Sequence, residues 1–203
     1  MDLGYEDATA FVVFAFSEDV PEVYCVHAEK APHLSIAEIA EKIKRLEERY
    51  QFVRSVVDTG GLGKMVCEEM NKRFELNLFP AEKSRKLDHI RLMNSDFERG
   101  RIQICHGPKT EQYVDELVLL EWDQNQMEKG RFIENENNEN HCCDAALYAW
   151  REALHYLHRE QTPKPEFGSQ DYFEALEREM ESDMIAKVKR MEEDEELEWW
   201  EVN

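Results

Sequence analysis

The chain has no apolar run approaching the roughly 20 residues that a membrane-spanning helix needs. Its N-terminus lacks the basic and apolar regions of a signal peptide. Both absences argue for a soluble, intracellular protein. Cysteine is sparse and unpatterned: Cys25, Cys67, Cys105, Cys142 and Cys143 form no C-x-x-C pair, and their number is odd. They read as reduced thiols, which sets aside a disulfide framework and a zinc site. Basic charge is also short. With 25 Lys and Arg against 45 Asp and Glu, the net charge is −20. That argues against a general nucleic-acid binder, because phosphate contacts need Lys and Arg. It still admits a metal-dependent nuclease, whose centre is built of carboxylates. A Walker A loop is missing too. In SVVDTGGLGKM, residues 55–65, the glycines stand too close together, and Met65 follows Lys64 where a magnesium-holding hydroxyl is required.

What is present describes a folded α/β protein. Hydrophobic residues make up 42% of 203, enough for one core-bearing domain with an appendage. The apolar run AFVVFAF (residues 10–16) and the alternating EVYCVHA (residues 22–28), separated by an acidic turn, predict a β-hairpin. Ser35 to Tyr50 repeats Ile36, Ile39, Ala40, Ile43 and Leu46 at helical spacing, with Ser35 and Glu38 forming a capping box. Short strands follow at residues 52–57, 76–79 and 101–105, alternating with helices at 61–74, 82–98 and 109–120. The polar stretch 121–140 reads as a hairpin or loop, and 140–158 as an amphipathic helix with Ala146, Ala149, Trp150 and Leu154 inward. The order predicts a mixed β-sheet flanked by helices. Residues 1–160 form the domain, the Pro- and Gly-bearing 161–170 a linker, and 171–203 an acidic helical tail. This tail holds 13 Asp and Glu against four Lys and Arg, and ends near Trp199 and Trp200. Paired tryptophans are out of place on a solvated helix and suggest partner docking.

Three aspartates fall in three different elements. Asp2 precedes a glycine turn and the first strand, Asp58 ends a β-branched strand, and Asp144 lies in the first turn of the last amphipathic helix. Singly, each has a plain explanation: a chain terminus, a helix cap, or a charge favoured at a helix N-terminus. Converged at one sheet edge they would repel one another unless divalent cations neutralised them, and carboxylates are the ligands that magnesium and manganese prefer. Other candidates are more open. Lys83, Arg85, Lys86 and Arg91 form a basic patch that reads equally as a phosphate contact or a solvated helix face. Asp7 and Glu6 read as turn residues near Asp2. His141 shares a helix face with Asp144, where capping and packing compete with an accessory role in the site.

The segments MDLGYEDATAFVV, VVDTGGLGKMVCEEM, PAEKSRKLDHI and HCCDAALYAW together resemble the nuclease domain of the large terminase subunit of tailed bacteriophages, over residues 2–150. D-T-G-G-x-G and H-x-x-D-A-x-x-Y-A are their most specific parts. The resemblance implies an RNase H-like fold and a metal-dependent endonuclease that cuts concatemeric viral DNA during genome packaging. It further implies that Asp2, Asp58 and Asp144 hold two Mg2+ or Mn2+ ions. Double-stranded DNA is the implied substrate. The portal and the small terminase subunit are the implied partners, in the cytoplasm of the infected host cell. Only Met1 precedes Asp2, so the first strand reads as truncated, as in an excised domain restarted with methionine. Without Walker motifs the chain is expected to cut DNA but not to pump it. A non-catalytic RNase H-like interaction domain, and another nuclease of this superfamily such as a junction resolvase, remain the alternatives.

Overall fold

The structure is a computed structural model. It describes residues 1–4, 8–17, 20–58, 64–157, 167–174, 176, 177, 180 and 184. The chain divides into two compact units, Met1–Arg159 and Glu160–Asn203. Asp7, Glu6, the glycines between Asp58 and Lys64, and both tail tryptophans lie outside the described residues. In the second unit the described residues 170–174 are helical, and the Tyr172 ring packs between Phe167 and Phe173 at 5.0 and 5.6 Å.

The hairpin forms the centre of the first unit. Strand β1 (Ala8–Ser17) pairs antiparallel with β2 (Val20–Pro32), with a bulge between Val13 and Phe14, and β2 pairs parallel with β5 (Ile102–Ile104). A second, parallel pair joins β3 (Ser55–Val57) to β4 (Leu78–Pro80). Because side chains alternate across a strand, AFVVFAF serves two cores. Ala10 and Val12 pack with Val23, Cys25, Tyr113 and Trp150 on one face, whereas Phe11 packs with Ile39, Ile43 and Met70 on the other. A strand buried on both faces needs a continuous apolar run, and this one has it.

Helices cover both faces. On one side lie α1 (Ile36–Tyr50), closed by the Ser35–Glu38 capping box, and α2 (Lys64–Phe74). On the other lie α3 (Lys86–Glu98), α4 (Glu111–Leu119) and the long α6 (His141–Leu157), whose Ala146 and Trp150 are fully buried. Between α4 and α6, the stretch expected as a hairpin or loop holds the single-turn α5 (Gln124–Met127), closed at its base by a Trp122–Glu134 bridge.

Two boundaries differ from expectation for local reasons. Helix α3 begins at Lys86 rather than Glu82, because the Glu82 carboxylate accepts the Ser84 N–H at 2.7 Å and Arg85 adopts φ +55°. That turn swings Lys83 and Lys86 away from a common helix face. Strand β3 starts at Ser55, three residues after Phe52.

Candidate active site

Residues Asp2 and Asp58 are brought together by the backbone. Asp2 exchanges both amide hydrogen bonds with Ala10 of β1, at 3.0 and 2.9 Å, and is bridged in parallel to Asp58 at the end of β3. Leu3 N–H donates to Asp58 O at 3.1 Å, and Asp58 N–H donates to Met1 O at 2.9 Å. Asp2 is thus the tie between the two sheets. Asp144 approaches from α6, whose inward face carries His141, Asp144 and Tyr148 at positions i, i+3 and i+7.

Each aspartate has a cationic or hydrogen-bonding partner. Lys83 Nζ lies 2.6 Å from Asp58 Oδ1. Lys86 Nζ lies 2.7 Å from Asp144 Oδ1 and 3.0 Å from Glu134 Oε2, to which Asn140 Nδ2 also donates at 2.6 Å. His141 Nδ1 stands 3.1 Å from Asp2 Oδ2. Buried Tyr148 hydrogen-bonds Asp58 through its phenol. Of the basic patch, Lys83 and Lys86 therefore meet the acids. Arg85 instead pairs with Asp88 at 2.9 Å, and Arg91 lies over the Phe132 ring at 5.2 Å.

Electrostatics show that the acids face one another. Burial pushes the Asp144 carboxyl up to about 6; Lys86 opposes the rise, and the Glu134 and Asp2 charges add to it. Burial likewise raises Asp2, with His141 opposing and the Asp58 charge adding. Burial pulls the Lys86 ammonium down, but Asp144 and Glu134 together more than offset it, so Lys86 ends above the ordinary lysine value. Burial raises the Tyr148 phenol well above its usual range, as do the charges of Asp144, Asp58 and Asp2. Carboxylates that raise one another in this way are a recurrent feature of functional sites.

As the side chains stand, no group of three or more His, Cys, Asp or Glu among the described residues is gathered tightly enough to hold a metal ion. The donor chemistry nevertheless fits a hard divalent cation: three carboxylates from three elements, with a fourth, Glu134, beside them. To hold a cation, Asp58 and Asp144 would have to release Lys83 and Lys86.

Three contributors escaped the sequence reading. Tyr148 was signalled, since it lies one helical repeat beyond Asp144 within H-x-x-D-A-x-x-Y-A. Glu134 had no signal, sitting in a polar stretch without periodicity. Glu116 of α4 is buried, and its Oε2 accepts the N–H groups of Cys142 and Cys143 at 2.7 and 3.1 Å. Its Oε1 meets Lys30 Nζ at 2.7 Å. Glu116 thereby caps the helix that carries His141 and Asp144.

Residues 1–157 match the family model described as the terminase RNaseH-like domain. No curated protein matches the chain. Three solved structures are similar in fold. The large terminase from the thermophilic bacteriophage D6E has 18% identity and a TM-score of 0.63 over 75% of this chain and 38% of its own. The large terminase nuclease from the thermophilic phage G20c has 20% identity and a TM-score of 0.57, covering 74% and 78%. The nuclease domain of the large terminase g2p from bacteriophage SPP1, solved with bound Mn, has 19% identity and a TM-score of 0.52, covering 74% and 82%. The chain therefore spans less than half the length of the D6E protein.

Proposed function

The chain belongs to the terminase RNaseH-like domain family, and from that premise we propose that it is a metal-dependent endonuclease that hydrolyses double-stranded viral DNA during packaging. One observation carries the reading. Asp2 and Asp58 are fixed on adjacent backbones, and Asp144 faces them from α6 closely enough for Asp2 to raise its pKa. Such a cluster is costly to a mere scaffold and useful to an enzyme.

Asp2, Asp58 and Asp144 would hold two divalent ions, magnesium or manganese, and the Mn bound by the SPP1 domain supports that choice. When bound, such ions supply Lewis-acid stabilisation of the phosphodiester and a water acidic enough to attack it. The chain's own residues do the rest. The β1 and β3 backbones hold two of the carboxylates in register, and Tyr148 fixes the side chain of Asp58. His141 orients Asp2 through its Nδ1 contact. Lys83 and Lys86, once displaced, lie at the edge of the site, where ammonium groups meet DNA phosphates. Arg85 and Arg91 are the weaker phosphate contacts. Asp7 is kept as an accessory candidate. The portal and the small terminase subunit are the expected partners in the packaging motor, in the cytoplasm of the infected host cell. Residues 1–160 would act as the nuclease domain, 161–170 as the linker and 171–203 as the acidic docking tail.

The ion pairs of Lys83 and Lys86 favour a second reading, in which a self-neutralised site serves a non-catalytic interaction domain. Plasmid cleavage by the purified chain separates the two. Cutting with Mg2+ or Mn2+, abolished by EDTA and by Asp58→Asn, is the expected result. An intact plasmid under both metals would leave the non-catalytic reading standing.

A further inference from the structure

Of the acids in residues 134–140, Glu134 alone is partly buried; Glu136 and Glu139 are exposed. The backbone sets that difference. Asp123 N–H donates to Ile133 O at 2.8 Å and Asn135 N–H donates to Glu121 O at 2.9 Å. Trp122 and Glu134 therefore face each other as the non-hydrogen-bonded pair of a short antiparallel ladder. Side chains alternate across such a ladder, and Ile133, on the other face, is exposed.

Asn140 supplies a second tie. Its C=O accepts the Asp144 N–H at 2.8 Å, and its Nδ2 donates to Glu134 Oε2 at 2.6 Å. One residue thus opens the helical turn that carries Asp144 and orients the Glu134 carboxylate beside it, as outer partners of ligating carboxylates do.

A cation already stands between these two acids. Lys86 Nζ lies 2.7 and 3.0 Å from Asp144 Oδ1 and Oδ2, and 3.0 Å from Glu134 Oε2. An ammonium has three donors, and three carboxylate oxygens surround this one. Lys86 nevertheless brings a single positive charge to two partly buried carboxylates. A divalent ion would match both, and oxygen donors are the ligands that magnesium takes.

We propose that Glu134 is a fourth ligand of the divalent site, sharing with Asp144 the cation position at which Lys86 Nζ stands, a role that rests on the metal-dependent reading of the site. Lys86 is then a resident counter-ion that keeps the two acids paired until it is exchanged. Charge supports the addition. Two divalent ions carry one positive charge more than Asp2, Asp58 and Asp144 neutralise, and Glu134 supplies the missing negative charge. The competing role for Glu134 is only to hold Lys86. In that case removing its carboxylate weakens the metal's competitor, and metal affinity does not fall.

Calorimetric titration of the intact chain with Mn2+, without DNA, separates the two roles. Glu134→Asp keeps the charge but withdraws the carboxylate by one methylene. Glu134→Gln loses the charge but keeps an acceptor for Asn140. Both should weaken Mn2+ binding at least tenfold, since outer partners of a ligand alone cost that much. Both should do so again in a Lys86→Met background, where that ammonium no longer competes. Lys86→Met by itself should bind Mn2+ at least tenfold more tightly. Unchanged or tighter binding in Glu134→Asp would overturn the proposal, and so would weakening confined to Glu134→Gln, which marks a charge acting through space. Either result leaves the metal-dependent reading standing if the parent binds Mn2+ and Asp58→Asn does not. A parent and a Lys86→Met variant that both fail to bind Mn2+ would overturn the two together.

Discussion

The backbones of Asp2 and Asp58 lie side by side as a parallel pair, joined by Leu3 N–H to Asp58 O at 3.1 Å and Asp58 N–H to Met1 O at 2.9 Å. Two carboxylates far apart in the chain are thereby set at neighbouring positions. Their separation is governed by the strand ladder, not by side-chain flexibility, which is the pre-organisation that a charged site needs.

The cost of that arrangement is measurable at Asp144. Burial pushes its carboxyl up to about 6 in the folded state, well above the ordinary aspartate range. A raised folded pKa means that the folded state holds the proton more tightly. Stability is then fullest below the unfolded pKa and is lost as pH rises through the folded one. The Asp144→Asn variant should accordingly be more stable than the parent in EDTA at pH 7–8, by up to about 3 kcal/mol, and melt higher. The gap should close towards pH 4. Melting curves across that window check both the sign and the range.

Divalent cations should reverse the same penalty. Adding Mg2+ or Mn2+ is expected to raise the Tm of the parent chain in a concentration-dependent way, the stability gain reaching about 2.7 kcal/mol at 100 times Kd. In Asp58→Asn the rise should be largely lost. Thermal denaturation with and without metal, independent of any cleavage assay, reads this directly.

Lys86 joins Asp144 to Glu134, with the lysine side chain 34% exposed and both acids 18% exposed. Lys86→Met leaves two partly buried carboxylates without their shared cation. We expect a loss of about 1–3 kcal/mol in urea unfolding at pH 7, shrinking as pH falls and the acids take up protons. A variant as stable as the parent at pH 7 would show that the bridge contributes nothing.

Glu116 is the buried counterpart at the start of α6. Its removal leaves Lys30 to its second partner Glu139, at 2.6 Å, and uncovers the Cys142 and Cys143 N–H groups. Glu116→Ala should cost about 3–5 kcal/mol, as for breaking a buried charged pair. Glu116→Gln should cost less, because the amide oxygen can still accept from the helix N-terminus. Denaturant titration of the two variants tests the order.

Legibility divides along a physical line. Periodicity and local hydrogen bonding acted within a few residues, and these the sequence revealed. The apolar run from Ala10 to Phe16 is a strand, buried on both sides from Ala10 to Val13, the Ser35–Glu38 capping box is present with both of its bonds, and Asp144 lies in the first turn of α6. Asp2 and Asp58 could be marked as candidates because their residue types and places at strand ends limited what they could do. The start of α3 was misplaced by four residues because a local turn at Ser84 and Arg85 overrode helical propensity. Contacts between distant segments were a different matter. That Lys83 meets Asp58, that Glu134 enters through the Trp122 bridge, and that Glu116 caps α6 depend on strand register and helix packing. Those positions arise only when both cores close around β1, since no spacing along the chain encodes a hydrogen bond between residues that only packing makes neighbours.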